Sequence, residues 1–280
     1  MVSDLTDRAA LERHRLRAGR RNDTDFFLHR EAAAVLEERL GEVNRAFTAP
    51  TLVTAFNEPF ANLPGASRHV TDADVLDLQP GAHDLVVHAM GLHWASDPLG
   101  QIIQCRRALK PDGLFLAVAF GGRTLHELRA VLAEAEASLT GGLSPRVAPM
   151  ADIRDLGALL QRAGLAMPVA DTLTLTTSYP DLFALARELR AVGETNALAE
   201  RLRRPTRRDL FEEANRLYST AFPAENGRVA ATFELVFLTG WAPDESQPKP
   251  LRPGSANARL AEALATKERP AGDIATPRRD

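Results

Sequence analysis

Apolar residues in this chain fall into short continuous runs separated by stretches of helical spacing. Thr51–Phe56, Asp84–Met90 and Gly113–Phe120 are runs without strict alternation, the pattern of parallel strands covered on both faces. Between the last two, Leu99, Ile102, Ile103, Cys105, Ala108 and Leu109 follow helical spacing, and Lys110-Pro111-Asp112-Gly113 predicts a turn into the third run. Further helices are predicted at Leu125–Leu139, Ile153–Ala163, Leu182–Val192 and around Asp209–Tyr218, with strands at Val169–Thr177 and Thr232–Leu238. Upstream, Phe27, Ala34, Val35, Leu36 and Leu40 form one stripe, with Asp23 or Thr24 as its cap. Strands alternating with helices predict a doubly wound α/β sheet.

The ends of the chain differ in character. Seven arginines among the first thirty residues (Arg8, Arg13, Arg15, Arg17, Arg20, Arg21 and Arg30) predict a solvated basic arm over 1–23 that could dock an acidic partner. Deleting residues 1–21 is then expected to leave the fold intact. The main domain spans 24–241, with a helical insert at about 180–225. Six of the 18 prolines follow Trp241, so 242–280 reads as a largely irregular tail, with one short helix at Asn257–Lys267 capped by Ser255. A second basic run, Arg201, Arg203, Arg204, Arg207 and Arg208, reads as a solvated face or docking patch.

Composition narrows the class. The chain has 280 residues, 45% hydrophobic and 25% charged, with net charge −3, which excludes a disordered chain and argues against a nucleic-acid binder. Its one cysteine, Cys105, builds no internal disulfide, and no apolar run reaches a membrane span. The start lacks the apolar core of a secretory signal, so a cytoplasmic location is expected. His88 and His93 have no third ligand at a familiar spacing, so no metal is expected.

Local motifs say more. Asp84-Leu85-Val86-Val87, then Met90-Gly91-Leu92-His93-Trp94 and Leu109-Lys110-Pro111-Asp112-Gly113, resemble the fourth and fifth strands of class I S-adenosylmethionine methyltransferases. Phe120-Gly121-Gly122-Arg123-Thr124-Leu125, Gly141-Gly142-Leu143-Ser144-Pro145 and Asp155-Leu156-Gly157-Ala158-Leu159-Leu160 resemble one branch of that superfamily, the respiratory complex I assembly factor and its bacterial relatives, as do Gly193-Glu194-Thr195-Asn196 and Thr239-Gly240-Trp241. The resemblance implies a Rossmann-like class I methyltransferase sheet with a protein substrate or assembly partner. The branch's mitochondrial member is implicated in hydroxylating an arginine of a complex I subunit.

One departure stands out. The resemblance calls for a glycine-rich turn after the first strand, where backbone must approach the cofactor. Here Thr54-Ala55-Phe56-Asn57-Glu58 follows instead, with no glycine between Gly41 and Gly65. Thr51 to Asp72 is also too short for strand, helix, strand, helix and strand, since one βαβ unit takes about 30 residues. The N-terminal half is therefore truncated: Thr51–Phe56 is either the family's first strand or the end of its second, where Glu58 would be the ribose acid, and in either case it is expected beside Asp84–Met90.

By resemblance, Asp72 and Ala73 fall at the adenine and Glu58 at the ribose, while Trp94, Phe120 and Gly121 line the cofactor pocket. His93 is the candidate base, and Glu194 and Asn196 close a loop over the site. Thr124 is read as a helix cap. S-adenosylmethionine is the implied cofactor, with weak or absent binding expected. Two readings follow: a methyltransferase-like protein acting on a protein, possible in complex I assembly, or a non-catalytic scaffold that has lost its cofactor, a pseudoenzyme.

Overall fold

The computed structural model describes residues 4–21 and 25–248. One sheet contains β1 (Pro50–Thr54), β2 (His69–Val70), β3 (His83–Ala89), β4 (Leu109–Phe120), β5 (Ala166–Tyr179) and β6 (Val229–Trp241), in the order β2-β1-β3-β4-β6-β5. β1 runs parallel to β2 and β3, and β3 parallel to β4. β6 lies antiparallel between β4 and β5. This is the expected α/β architecture.

The shortened N-terminal half is visible directly. Between β1 and β2 lie two 3₁₀ turns, Glu58–Phe60 and Ala66–Arg68, and no α-helix. β1 takes the central place beside β3, pairing Leu52 with Val87, as its apolar run requires. The turn expected at residues 110–113 falls inside β4. There Leu109 pairs with His83 and Leu114 with Leu85, so the Pro-Asp-Gly segment bulges out of the ladder.

Alternate strand residues feed two cores. Leu52, Val87, Leu116, Val118 and Phe233 face α2 (Phe27–Glu42), α4 (His126–Thr140), α6 (Leu182–Ala191) and α7 (Arg208–Ala221). Val53, Val86, Phe115, Ala117 and Val236 face α3 (Pro98–Ala108) and α5 (Ile153–Arg162). Cys105 is a fully buried packing residue of that second core. α2 begins at Phe27 with no side-chain cap at Phe26, and Asp23 and Thr24 lie outside the described residues. The tail helix expected at 257–267 lies outside them as well.

The basic N-terminal segment is not a solvated arm. It forms α1 (Arg8–Gly19), started by Asp7, whose carboxylate accepts from the Ala10 N–H. Ala10 and Leu11 are buried in a third cluster with Trp94, Ala148, Ala197 and Leu198. Thr6 makes an antiparallel bridge with Leu198, and the Asp7 N–H donates to the Ala197 carbonyl at 2.7 Å. Arg201, expected on a solvated face, instead pairs with Asp7 at 2.9 Å. Burying Leu11 alone is worth about 1.5–3 kcal/mol, so the docked helix outweighs the solvation that its arginines suggested.

Candidate functional site

A cavity of about 370 Å³ opens beside the C-terminal ends of β3 and β4. The end of β4 delivers Phe120, and the 3₁₀ turn Leu92–Trp94 after β3 delivers Trp94. Leu125, Leu128 and Leu132, spaced three and four apart, present one face of α4 to the cavity. Phe233 of β6 and Phe211 of α7 add aromatic wall.

Glu194 is the acid of this cavity. α6 ends in a left-handed residue, Gly193 (φ +81°), which turns the chain so that the Glu194 N–H donates to the Leu189 carbonyl at 2.8 Å. Its carboxylate accepts from Trp94 Nε1–H at 2.7 Å and lies 3.3 Å from His93 Nε2. Burial opposes its ionisation, but His93, Arg15 and the Trp94 bond outweigh that and hold the carboxyl below its usual range. His93 sits behind Glu194, with its ring 4.9 Å from Phe120, and does not line the cavity. That geometry makes it a support for Glu194.

Three arginines line the wall, Arg146, Arg190 and Arg201, and the first and last of them are compensated. Arg146 donates to Glu136 through Nε at 3.0 Å and Nη2 at 2.7 Å, and Ser144 adds its hydroxyl and N–H to the same carboxylate. The Gly-Gly-Leu-Ser-Pro-Arg segment is thus a clamp folded back on α4. Arg201 is held by Asp7. Asn196 donates to the Pro145 carbonyl at 2.9 Å and ties the Glu194 loop to that clamp.

Of the residues expected at a nucleoside, the structure gathers only Trp94 and Phe120 in the cavity. Glu58 is exposed and pairs with Arg30 at 3.2 Å. Asp72 is fully buried, with Oδ1 taken by Arg15 Nη1 at 2.6 Å. The Ala73 carbonyl accepts from Gln101. Gly121 is bare for packing: a Cβ there would meet Val236 Cγ2 at 2.5 Å and Glu234 Oε2 at 2.6 Å. Thr124 caps nothing; its hydroxyl bonds both the carbonyl and N–H of Glu234, and the N-cap of α4 is Leu125. In the turn after β1, the Phe56 ring packs tilted against Phe26 at 5.0 Å and edge-to-face against His29 at 6.1 Å. In this arrangement these residues present no open nucleoside site: Glu58 is held by Arg30, Asp72 by Arg15, and the Phe56 ring stands in the turn after β1.

Arg15 is the important residue that motif reading missed. The signal was present as Arg8-Leu11-Arg15-Ala18, spaced three, four and three along one helix face.

Sheet order, covered faces and cavity position define a methyltransferase-type α/β protein. The methyltransferase-domain family model matches residues 32–117. The mitochondrial arginine-hydroxylase NDUFAF5 of Dictyostelium discoideum is 41% identical over 184 residues, 65% of this chain and 42% of that protein. The Homo sapiens arginine-hydroxylase NDUFAF5 is 37% identical over 193 residues, 69% of this chain and 56% of that protein. Among solved structures, the YcgJ protein of Bacillus subtilis matches with TM-score 0.48 and 14% identity, covering 76% of this chain and 99% of that one. The chain is similar to the NDUFAF5 arginine-hydroxylases over about two thirds of its own length and spans about half the length of these curated relatives. No helix among the described residues is long and apolar enough to cross a membrane.

Proposed function

We propose that the protein acts on a protein partner during respiratory complex I assembly, receiving an arginine-bearing segment in the cavity floored by Glu194. The observation that carries this reading is a buried carboxylate among aromatic faces. A guanidinium is planar and always charged, matches a carboxylate with paired N–H donors, and is favoured over aromatic rings. Trp94 and His93 orient Glu194, and the leucines of α4 keep water from the pair, which strengthens it. Arg146 and Arg201 are neutralised by Glu136 and Asp7, which leaves Arg190 at the rim as the wall arginine that an entering guanidinium must pass. Homology to proteins named arginine-hydroxylases supports arginine over lysine. A cytoplasmic setting belongs to this reading, and the buried, unbridged Cys105 is compatible with it.

The test is genetic and chemical. Loss of the gene in its native host is expected to reduce assembled complex I on native gels. Wild-type protein restores assembly and Glu194→Gln does not. Peptide masses then report whether an arginine of the captured partner gains an oxygen, a methyl group or neither. Full rescue by Glu194→Gln would reject the site.

A further inference from the structure

An open parallel sheet places its ligand in the crevice beyond the C-terminal ends of its strands. In this chain, the crevice above β1 and β3 is filled by the chain's own side chains. α1 crosses it and lays Arg15 against Asp72, a contact of 2.6 Å between side chains 10% and 0% exposed. Arg8 donates to the Asp72 backbone oxygen, so two turns of α1 bind one acidic residue. From the turn after β1, the Phe56 ring reaches the end of α1, 3.9 Å from where a Cβ on Gly19 would stand. From the opposite side, Gly193 closes so tightly that a Cβ would stand 3.3 Å from both Arg15 Cγ and Phe56 Cζ. The segment before α1 is then strapped to the Glu194 loop through the Thr6–Leu198 bridge.

We infer that α1 is the built-in occupant of the nucleoside crevice, with the Arg15 guanidinium holding the Asp72 carboxylate that a nucleoside would need. Arginine is suited to this, because its charge is permanent and its hydration weak, so it can be buried against a carboxylate where a lysine would resist. A nucleoside and α1 compete for one carboxylate and one volume, and the covalently tethered competitor has the advantage of local concentration. The docked state therefore excludes S-adenosylmethionine. The Asp72 Oδ2 atom and Arg15 Nη2 are buried without partners in the protein, so the crevice keeps polar capacity beyond the one pair. This inference concerns the crevice under α1. The crevice borders the Glu194 cavity through Arg15 and the Thr6–Leu198 strap, but its test involves no arginine peptide, so the two readings fail separately.

The experiment is calorimetric titration of the full chain with S-adenosylmethionine and S-adenosylhomocysteine, with amide exchange along α1 followed in parallel. Wild type is expected to show no saturable heat up to about 1 mM and unchanged protection of α1. Arg15→Ala frees Asp72 and is expected to bind S-adenosylhomocysteine at least about tenfold more tightly than that limit, with faster exchange in α1. Removing one partner of a buried pair is strongly destabilising, so Arg15→Gln, which keeps a donor beside Asp72, is the second variant, and the wild-type titration needs neither. Micromolar binding by wild type with α1 still protected would overturn the proposal. So would an Arg15 variant that is folded by circular dichroism and as silent as wild type.

Discussion

Burial at the top of the sheet decides how individual side chains respond to acid. His29 is fully buried beside Phe26 and Phe56, and burial pushes its pKa down to about 4. In the unfolded chain it titrates near 6.5. Between those values the unfolded state binds the proton and the folded state does not, so stability falls as pH drops from about 6.5 to about 4. Urea midpoints of His29→Gln across that range are expected to be flatter than those of wild type. Glu136 acts in a lower window. The Arg146 hydrogen bonds hold its pKa at about 2 against the opposing effect of burial, so its contribution is present above about 4.5 and lost as pH falls towards 2. Arg146→Ala leaves the Glu136 carboxylate uncompensated and is expected to cost about 3 kcal/mol at neutral pH, read from denaturant unfolding.

At the scale of elements, caps and close approaches dominate. Asp152 starts α5 by accepting from the N–H groups of Arg154 at 2.8 Å and Asp155 at 3.0 Å. Asp152→Ala is expected to destabilise by about 1 kcal/mol in urea unfolding. Gly121→Ala must push Val236 and Glu234 aside, and a loss of about 1–3 kcal/mol is expected in the same assay. The central strands were legible in the sequence because both faces are buried, which makes β3 and β4 continuous apolar runs. The helices α3 to α7 were legible from their stripes. β2 was not, since two residues carry no period. Trp94 was legible as a cavity residue because it follows the end of a strand, whereas Phe120, the last residue of β4, was named only by resemblance. The pairing of Asp72 was not legible because its partner lies 57 positions away on a helix whose arginines masked the Leu11 face. Gly121 was read as lining the cofactor pocket and Thr124 as a helix cap, yet their partners are on β6, which no window around them contains.

Over the whole molecule, the N-terminal segment joins elements far apart in sequence. Its apolar side covers Trp94 and Leu198, and its charged side meets Asp72 and Arg201 through Arg15 and Asp7. Deletion of residues 1–21 is therefore expected to lower the thermal midpoint by several degrees, since 1 kcal/mol is worth about 2–4 °C in a domain of this size. An unchanged midpoint would mean that the helix contributes contacts without stability.

The bridge from Thr6 to Leu198 also has a consequence for biogenesis. The first helix leaves the ribosome long before residues 197–199 exist to receive it. At about 5–20 residues per second the wait is on the order of ten seconds or more. During that interval Leu11 and its neighbours are uncovered, and the nascent polypeptide offers a basic, half-apolar handle to any chaperone near the exit tunnel. The crevice can be sealed only after most of the chain has been translated.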